Sequence, residues 1–250
     1  MKKVYERPQS LKKTPFRFCP GCGHGIAHRL IAQCIDELGI REKVVGIAPV
    51  GCAVFAYDYF NFDIIECAHG RPPAVATAIK RVSPETIVFS YQGDGDLAAI
   101  GTAEIIHAAN RGENLSIFFM NNATYGMTGG QMAPTTLINQ KTATCNKGRC
   151  ITADGFPLNV VKLISTIKGV SYAARSSLAG AKNILQTKKH IRRVLENQIN
   201  KKGFSFLEML SPCPPVWGLT PLDSCKWIET EMSTVFKKGV YKDIEARKHS

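Results

Sequence analysis

Residues 86–122 read TIVFSYQGDGDLAAIGTAEIIHAANRGENLSIFFMNN, and this stretch decides the fold. TIVFSY (86–91) and LSIFFM (115–120) are short, continuous apolar runs, the pattern of strands buried on both faces. Between them LAAIGTAEIIHAAN (97–110) has helical periodicity and stops at Gly112, a residue suited to a helix C-terminus. Strand, helix and strand within about 35 residues form a βαβ unit, which requires a parallel sheet covered by helices.

Further segments repeat the alternation. Ile26, Ala27, Leu30, Ile31, Ile35 and Leu38 form a helical stripe closed by Gly39, followed by a short strand from Val44 to Ala48. Pro72 and Pro73 open a helix running to about Val82, since proline is tolerated in a first turn. Later come a helix over 157–168, a strand over 170–174, a helix over 180–201 and a strand over 204–210. The fold class expected is α/β, a parallel sheet with helices on both faces. The division expected is an N-terminal extension (1–15), one domain (16–235) with an irregular stretch near 123–156, and a loose basic tail (236–250).

The chain has 250 residues, 44% of them hydrophobic and 21% charged, enough to bury a core without cross-links. Its net charge of +12 favours anionic partners without choosing among them. The basic residues of 188–202 read as the solvated face of a helix. MKKVYERPQSLKK lacks the apolar core of a secretory signal, and no apolar run approaches the ~18 residues of a membrane span. A cytoplasmic protein with reduced thiols is therefore expected.

QGDGD (92–96) and NN (121–122) follow the two buried strands. In an open parallel sheet, ligands bind beyond the carboxyl ends of strands, so the two groups should lie side by side. Asp94 and Asn122 offer hard oxygen ligands suited to Mg²⁺, and Gly93 and Gly95 allow a diphosphate close to the backbone. A dinucleotide reading of GDGDLA fails because the next strand ends in asparagines where an acid should bind the ribose.

Nine cysteines are present. Cys19 and Cys22 form a Cys-x-x-Cys pair in FRFCPGCGHG (16–25), while Cys52 and Cys213 lie in loops after strands, on the side of Asp94 and Asn122. Four thiolates there would suit an iron-sulfur cluster or a structural zinc equally, and spacing alone does not decide. A thioredoxin-like pair fits less well, since no evident strand precedes it. Cys34 reads as core, Cys145 and Cys150 as surface thiols, and His24 as either a tuning group or a cap. Cys67 and Cys225 suggest no role.

Gly-Asp-Gly, followed after about 25 residues by Asn-Asn, resembles the motif of the thiamine diphosphate family. That resemblance implies Asp94, Asn122 and the Thr124 carbonyl as Mg²⁺ ligands, with Gly95, Asp96, Gly126 and Met127 around the cofactor. Together with CPGCGHG, GC (51–52), HGRPPAVATAIK (69–80), YGMTGGQMAPTT (125–136) and SPCPP, the order over about 16–220 resembles β subunits of 2-oxoacid:ferredoxin oxidoreductases, closest to the 2-oxoisovalerate and 2-oxoglutarate types. It implies a 4Fe-4S cluster on Cys19, Cys22, Cys52 and Cys213. It also implies that Val50, Gly51, Cys52 and Ala53 lie against thiamine diphosphate, with His69 and Arg71 near the diphosphate.

The resemblance further implies oxidative decarboxylation of a 2-oxoacid to acyl-CoA and CO₂, electrons passing to ferredoxin, with chemistry borne by cofactors rather than by a catalytic side chain. The second thiamine-binding domain and the ferredoxin-like cysteine pattern are absent from the sequence, which implies an α subunit and, beyond it, γ and ferredoxin-like δ subunits. A cluster-free thiamine diphosphate decarboxylase and a basic nucleic-acid-binding protein with a four-cysteine zinc site are the alternatives. The second leaves GDG and NN unexplained and lacks a nucleic-acid module.

Overall fold

Continuous burial of IVFSYQ and SIFFMN on both faces makes these segments the centre of a sheet. The computed structural model describes residues 6–245. Its strands are β1 (Val44–Ala48), β2 (Asp63–Glu66), β3 (Ile87–Gly93), β4 (Ser116–Asn121), β5 (Thr124–Tyr125), β6 (Gln131–Met132), β7 (Val170–Ser177), β8 (Phe204–Leu210) and β9 (Gly239–Asp243). Seven form one sheet in the order β2-β1-β3-β4-β8-β7-β9, parallel except for β9, and β5 pairs with β6 in a small antiparallel hairpin.

The helices are α1 (His24–Glu37), α2 (Ala56–Tyr59), α3 (Pro72–Val82), α4 (Thr102–Asn110), α5 (Ile151–Asp154), α6 (Val160–Thr166), α7 (Ala181–Ile199), α8 (Pro214–Trp217) and α9 (Pro221–Trp227). Successive strand residues point to opposite faces, so Phe89, Phe118 and Leu207 meet α1 and α7 while Val88, Ile117 and Phe206 meet α3, α4 and α6. The expected parallel sheet with two helical layers is present. None of the described helices is long and apolar enough to cross a membrane.

Three boundaries differ from expectation. The tail expected after about 235 instead adds β9, antiparallel to β7; Tyr241 accepts a hydrogen bond from the buried Arg175 at 3.0 Å, and Lys242 donates to the Ile167 carbonyl at 2.6 Å. The N-terminal extension is partly built into the domain: Leu11 is buried and bridges Phe60, and the buried Ser10 hydrogen-bonds Asp36. The helix expected from Leu97 begins with a π turn over Asp94–Ile100, closed by the Gly101 amide on the Asp96 carbonyl at 2.8 Å, before α4 starts at Thr102. Such wide turns recur at functional sites.

Beneath the cysteine motif, α1 buries His24 and His28. His28 donates from Nδ1 to the His24 carbonyl at 2.8 Å and stacks on Phe60 at 4.7 Å, and burial pushes its imidazole down to about 4. A neutral folded histidine binds fewer protons than the unfolded one, so this contribution is complete above the unfolded value near 6.5 and is lost as pH falls toward 4. The stability of wild type should therefore fall by roughly 3 kcal/mol more than that of His28→Gln between pH 7 and 4, measured by denaturant titration. Parallel curves for the two proteins would refute the burial argument.

Candidate functional site

The parallel register sets the site. Gly93 pairs with Met120, and Asn121 with Leu210, so the loops after β3, β4 and β8 leave the sheet together. The loops after β1, β3 and β4, with His24 and His69, enclose a cavity of about 400 Å³ whose apolar side includes Val50, Ile100, Met120 and Met127. Gly51, Cys52, Ala53, His69, Gly95, Asp96 and Gly126 also line it.

Asp94 is buried at the cavity floor. Its Oδ2 accepts the Asn122 amide N–H at 2.9 Å, and its Oδ1 accepts the Thr135 hydroxyl. Burial pushes the carboxyl up to about 7, opposed by these two donors. The Asn122 side-chain amide stands 2.7 Å from both Asp94 Oδ2 and the Thr124 carbonyl oxygen. With its NH₂ turned toward them it donates to both. With its oxygen turned toward them, three oxygens converge and repel unless a cation lies between them. The donor set thus fits a hard divalent ion.

Asp96 is occupied differently. Its Oδ1 accepts His69 Nδ1–H at 2.6 Å and the Gly70 amide at 2.8 Å, and its Oδ2 accepts Gln92 Nε2 at 2.5 Å. Asp96 therefore fixes His69, whose ring stands at the cavity wall. Arg71 pairs with Glu104 and does not line the cavity. The Pro72 and Pro73 start of α3 directs it toward α4.

The four cysteines expected to act together are gathered at one end of the sheet. Gly23 has no room for a side chain, since a Cβ there would lie 2.4 Å from Ser211 Oγ, and its amide faces the Pro212 carbonyl at 3.4 Å. This contact draws the Cys19–Cys22 turn against the loop carrying Cys213. A Cβ at Gly126 would stand 3.3 Å from the Asn122 amide terminus, 3.5 Å from Cys213 Sγ and 3.7 Å from Cys52 Sγ, so one small residue separates the oxygen site from two thiols. Burial pushes Cys22 and Cys213 up to about 12, and the neighbouring thiol charges push in the same direction. Four thiolates here need positive charge between them. Among the described residues no group of three His, Cys, Asp or Glu side chains is arranged to hold a single metal ion.

Other supports are not evident from the motifs. Trp217 Nε1 donates to the Asn122 carbonyl at 3.1 Å, and Thr136 donates to the Ala123 carbonyl at 2.6 Å, holding Ala123 at φ 58°. Asn121, half of the Asn-Asn pair, turns away from the cavity: it donates to Glu208 at 2.7 Å and accepts from the Ala123 amide at 3.0 Å. Glu208 in turn pairs with Arg175 at 2.9 Å, both fully buried. Only the threonines of APTT, next to the motif, gave a local hint of these supports. His24 also reaches the cavity and pairs through Nδ1 with the Tyr91 hydroxyl at 2.7 Å, while Cys34 is buried in the core as read.

A diphosphate-sized cavity at the carboxyl ends of parallel strands, with a hard-cation oxygen set on its floor, defines a cofactor-binding α/β module. Residues 50–209 match the family described as thiamine pyrophosphate enzyme, C-terminal TPP binding domain. The chain is 47% identical over 243 residues to ketoisovalerate oxidoreductase subunit VorA of Methanothermobacter thermautotrophicus, covering 97% of this chain and 51% of that protein. It is 36% identical over 207 residues to 2-oxoglutarate synthase subunit KorB of Methanocaldococcus jannaschii, covering 82% of this chain and 72% of that one. A solved 2-oxoglutarate:ferredoxin oxidoreductase from Magnetococcus marinus, with 2-oxoglutarate, coenzyme A and succinyl-CoA bound, superposes with a TM-score of 0.74 at 27% identity, over 86% of this chain and 70% of that one. The chain belongs to the thiamine diphosphate-binding subunits of the 2-oxoacid:ferredoxin oxidoreductase family. It spans about half the length of the ketoisovalerate oxidoreductase subunits it matches.

Thr135→Val keeps the shape but removes the donor to buried Asp94 Oδ1. Denaturant unfolding should show a loss of about 1–3 kcal/mol at pH 8, the cost of an unsatisfied buried acceptor. A change below a few tenths would show that Thr135 does not hold Asp94.

Proposed function

We propose that this chain binds Mg²⁺, thiamine diphosphate and a 4Fe-4S cluster as the β subunit of a 2-oxoacid:ferredoxin oxidoreductase acting on 2-oxoisovalerate or 2-oxoglutarate. The observation that carries this reading is the convergence at Gly126, where the Asn122 amide terminus and the Cys52 and Cys213 thiols surround one position. A diphosphate-metal site and a thiolate site sharing a wall suit a reaction whose electrons leave singly. A cluster-free decarboxylase would have no use for that second site.

When bound, thiamine diphosphate supplies the carbanion chemistry of decarboxylation, and the cluster supplies a one-electron route toward ferredoxin. The remaining work belongs to this chain. Asp94, Asn122 and the Thr124 carbonyl would hold Mg²⁺, the Asn122 amide turning its oxygen inward. Cys19, Cys22, Cys52 and Cys213 would hold the cluster. Val50 to Ala53 and Met127 would cover the cofactor and exclude water, with His69 fixed by Asp96 at the wall. The 2-oxoacid, coenzyme A, ferredoxin and an α subunit, with γ and δ subunits, complete the proposed assembly, which functions in the cytoplasm without nucleic acid or membrane.

The anaerobically purified protein should show a broad absorption shoulder near ~400 nm and about four irons and four sulfides per chain. Cys213→Ala should lose them, whereas Asp94→Ala should retain the iron and lose Mg²⁺-dependent thiamine diphosphate binding. A colourless protein with about one zinc that still binds thiamine diphosphate would overturn the electron-transfer role and favour the cluster-free enzyme.

A further inference from the structure

The thiols Cys145 and Cys150 lie outside the cavity, in the irregular stretch before α5, and the proposed reaction gives them no role. The Gly148 amide donates to the Cys145 carbonyl at 3.1 Å, turning the chain so that the Cys145 thiol and the Cys150 backbone amide meet one carboxylate. Asp154 Oδ2 accepts the Cys150 amide at 2.9 Å and lies 3.8 Å from Cys145 Sγ. Cys150 is exposed, and its Sγ lies 3.1 Å from Thr152 Oγ1. That hydroxyl and the Thr152 and Ala153 amides hold its thiol below the usual range, whereas desolvation and the Asp154 charge push Cys145 up. A more acidic, exposed thiol and a less acidic neighbour therefore share one turn.

Between them sits Arg149, only 5% exposed, whose guanidinium donates to six carbonyls. Three belong to Gly155, Asp154 and Phe156, at 2.9, 3.1 and 2.9 Å. The others belong to Ala133, Pro134 and Thr136, at 3.2, 2.8 and 2.8 Å. Thr136, in that second set, donates to the Ala123 carbonyl, and its neighbour Thr135, which Arg149 does not itself touch, donates to Asp94. The cysteines thus flank the staple that supports the floor of the cavity.

We propose that Cys145 and Cys150 form a reversible oxidative modification site, in which a hydroperoxide oxidises Cys150, Cys145 resolves it to a disulfide, and closure of that small ring loosens the Arg149 staple behind Asp94. In the first step the Cys150 thiolate attacks the terminal peroxide oxygen; the O–O bond breaks, sulfur is oxidised, and the leaving alkoxide or hydroxide takes a proton from water. The resulting sulfenic acid is attacked by Cys145 sulfur, forming the S–S bond and releasing water that carries the sulfenic oxygen and the Cys145 proton. The disulfide removes the thiol donor from Asp154 and constrains the residues on either side of Arg149. Coupling to the cavity rests on Asp94 being the cofactor's cation ligand; the modification itself does not.

The test treats the full, cofactor-loaded chain with stoichiometric hydrogen peroxide under argon, then alkylates and maps peptides by mass. The peptide holding both cysteines should lose two hydrogens and recover them in dithiothreitol. Cys150→Ser should abolish the change, and Cys145→Ser should stop at a sulfenic acid trapped by dimedone. Cys150 remaining reduced, or a sulfenic acid persisting in wild type as in Cys145→Ser, would overturn the proposal. Magnesium-dependent thiamine diphosphate binding, followed by the fluorescence of Trp217 against Asn122, should weaken about fivefold or more on oxidation and stay constant in the doubly substituted chain. Equal affinities would overturn the coupling. A disulfide in a chain that never binds thiamine diphosphate would speak against the functional reading and leave the modification site standing.

Discussion

The hydrogen bond from the Asn122 amide to Asp94 Oδ2, 2.9 Å long, joins the ends of β3 and β4, and the site depends on it. It forms because parallel pairing brings both strand ends to the same edge of the sheet. It also holds a carboxylate where burial disfavours charge, so Asp94 is ready for a cation. The same constraint accounts for the wide π turn over Asp94–Ile100, which leaves Asp94 directed at the cavity and Asp96 directed back at His69 and Gln92.

A second layer secures the first. Asn121 is bound by Glu208, which is bound by Arg175, and Arg175 also donates to Asn159 at 2.7 Å and to Tyr241 on β9. A fully buried ion pair contributes little net stability by itself, but removing one partner strands the other charge in the core. Its use here is positional: it locks β7, β8 and the Asn-Asn loop in one register, with β9 closing the edge. The small residues Gly23 and Gly126 then let the cysteine loops approach that frame.

The central βαβ unit was legible because its strands are apolar throughout and its helix ends in Gly112. The adjacency of Asp94 and Asn122 was legible for the same reason, since both follow strand ends, whereas Thr124 was named by the family resemblance alone. β2 was missed because DIIE is partly exposed at the sheet edge, and β9 because GVYKD is polar and its partner Arg175 lies 62 or more residues away in the chain. Thr135 and Trp217 lie 41 and 95 residues from Asp94 and Asn122, and their roles arise only when separate loops meet. The pairing of Arg71 with Glu104, in the first turn of α4, could not be read from the motif around Arg71. The expected strand over 170–174 continues to Ser177, with Ser176 and Ser177 buried in it rather than terminating it.

The proposed cation site and the proposed thiolate site share the wall at Gly126. Mn²⁺ in place of Mg²⁺, bound with thiamine diphosphate to the anaerobic protein, tests it most directly through the electron paramagnetic resonance of the reduced cluster. Adjacent sites predict a broadened, faster-relaxing cluster signal with Mn²⁺, absent with Mg²⁺ and absent in Asp94→Ala. A cluster signal unchanged by bound Mn²⁺ would contradict the shared wall, and with it the reading of this end of the sheet as one redox centre.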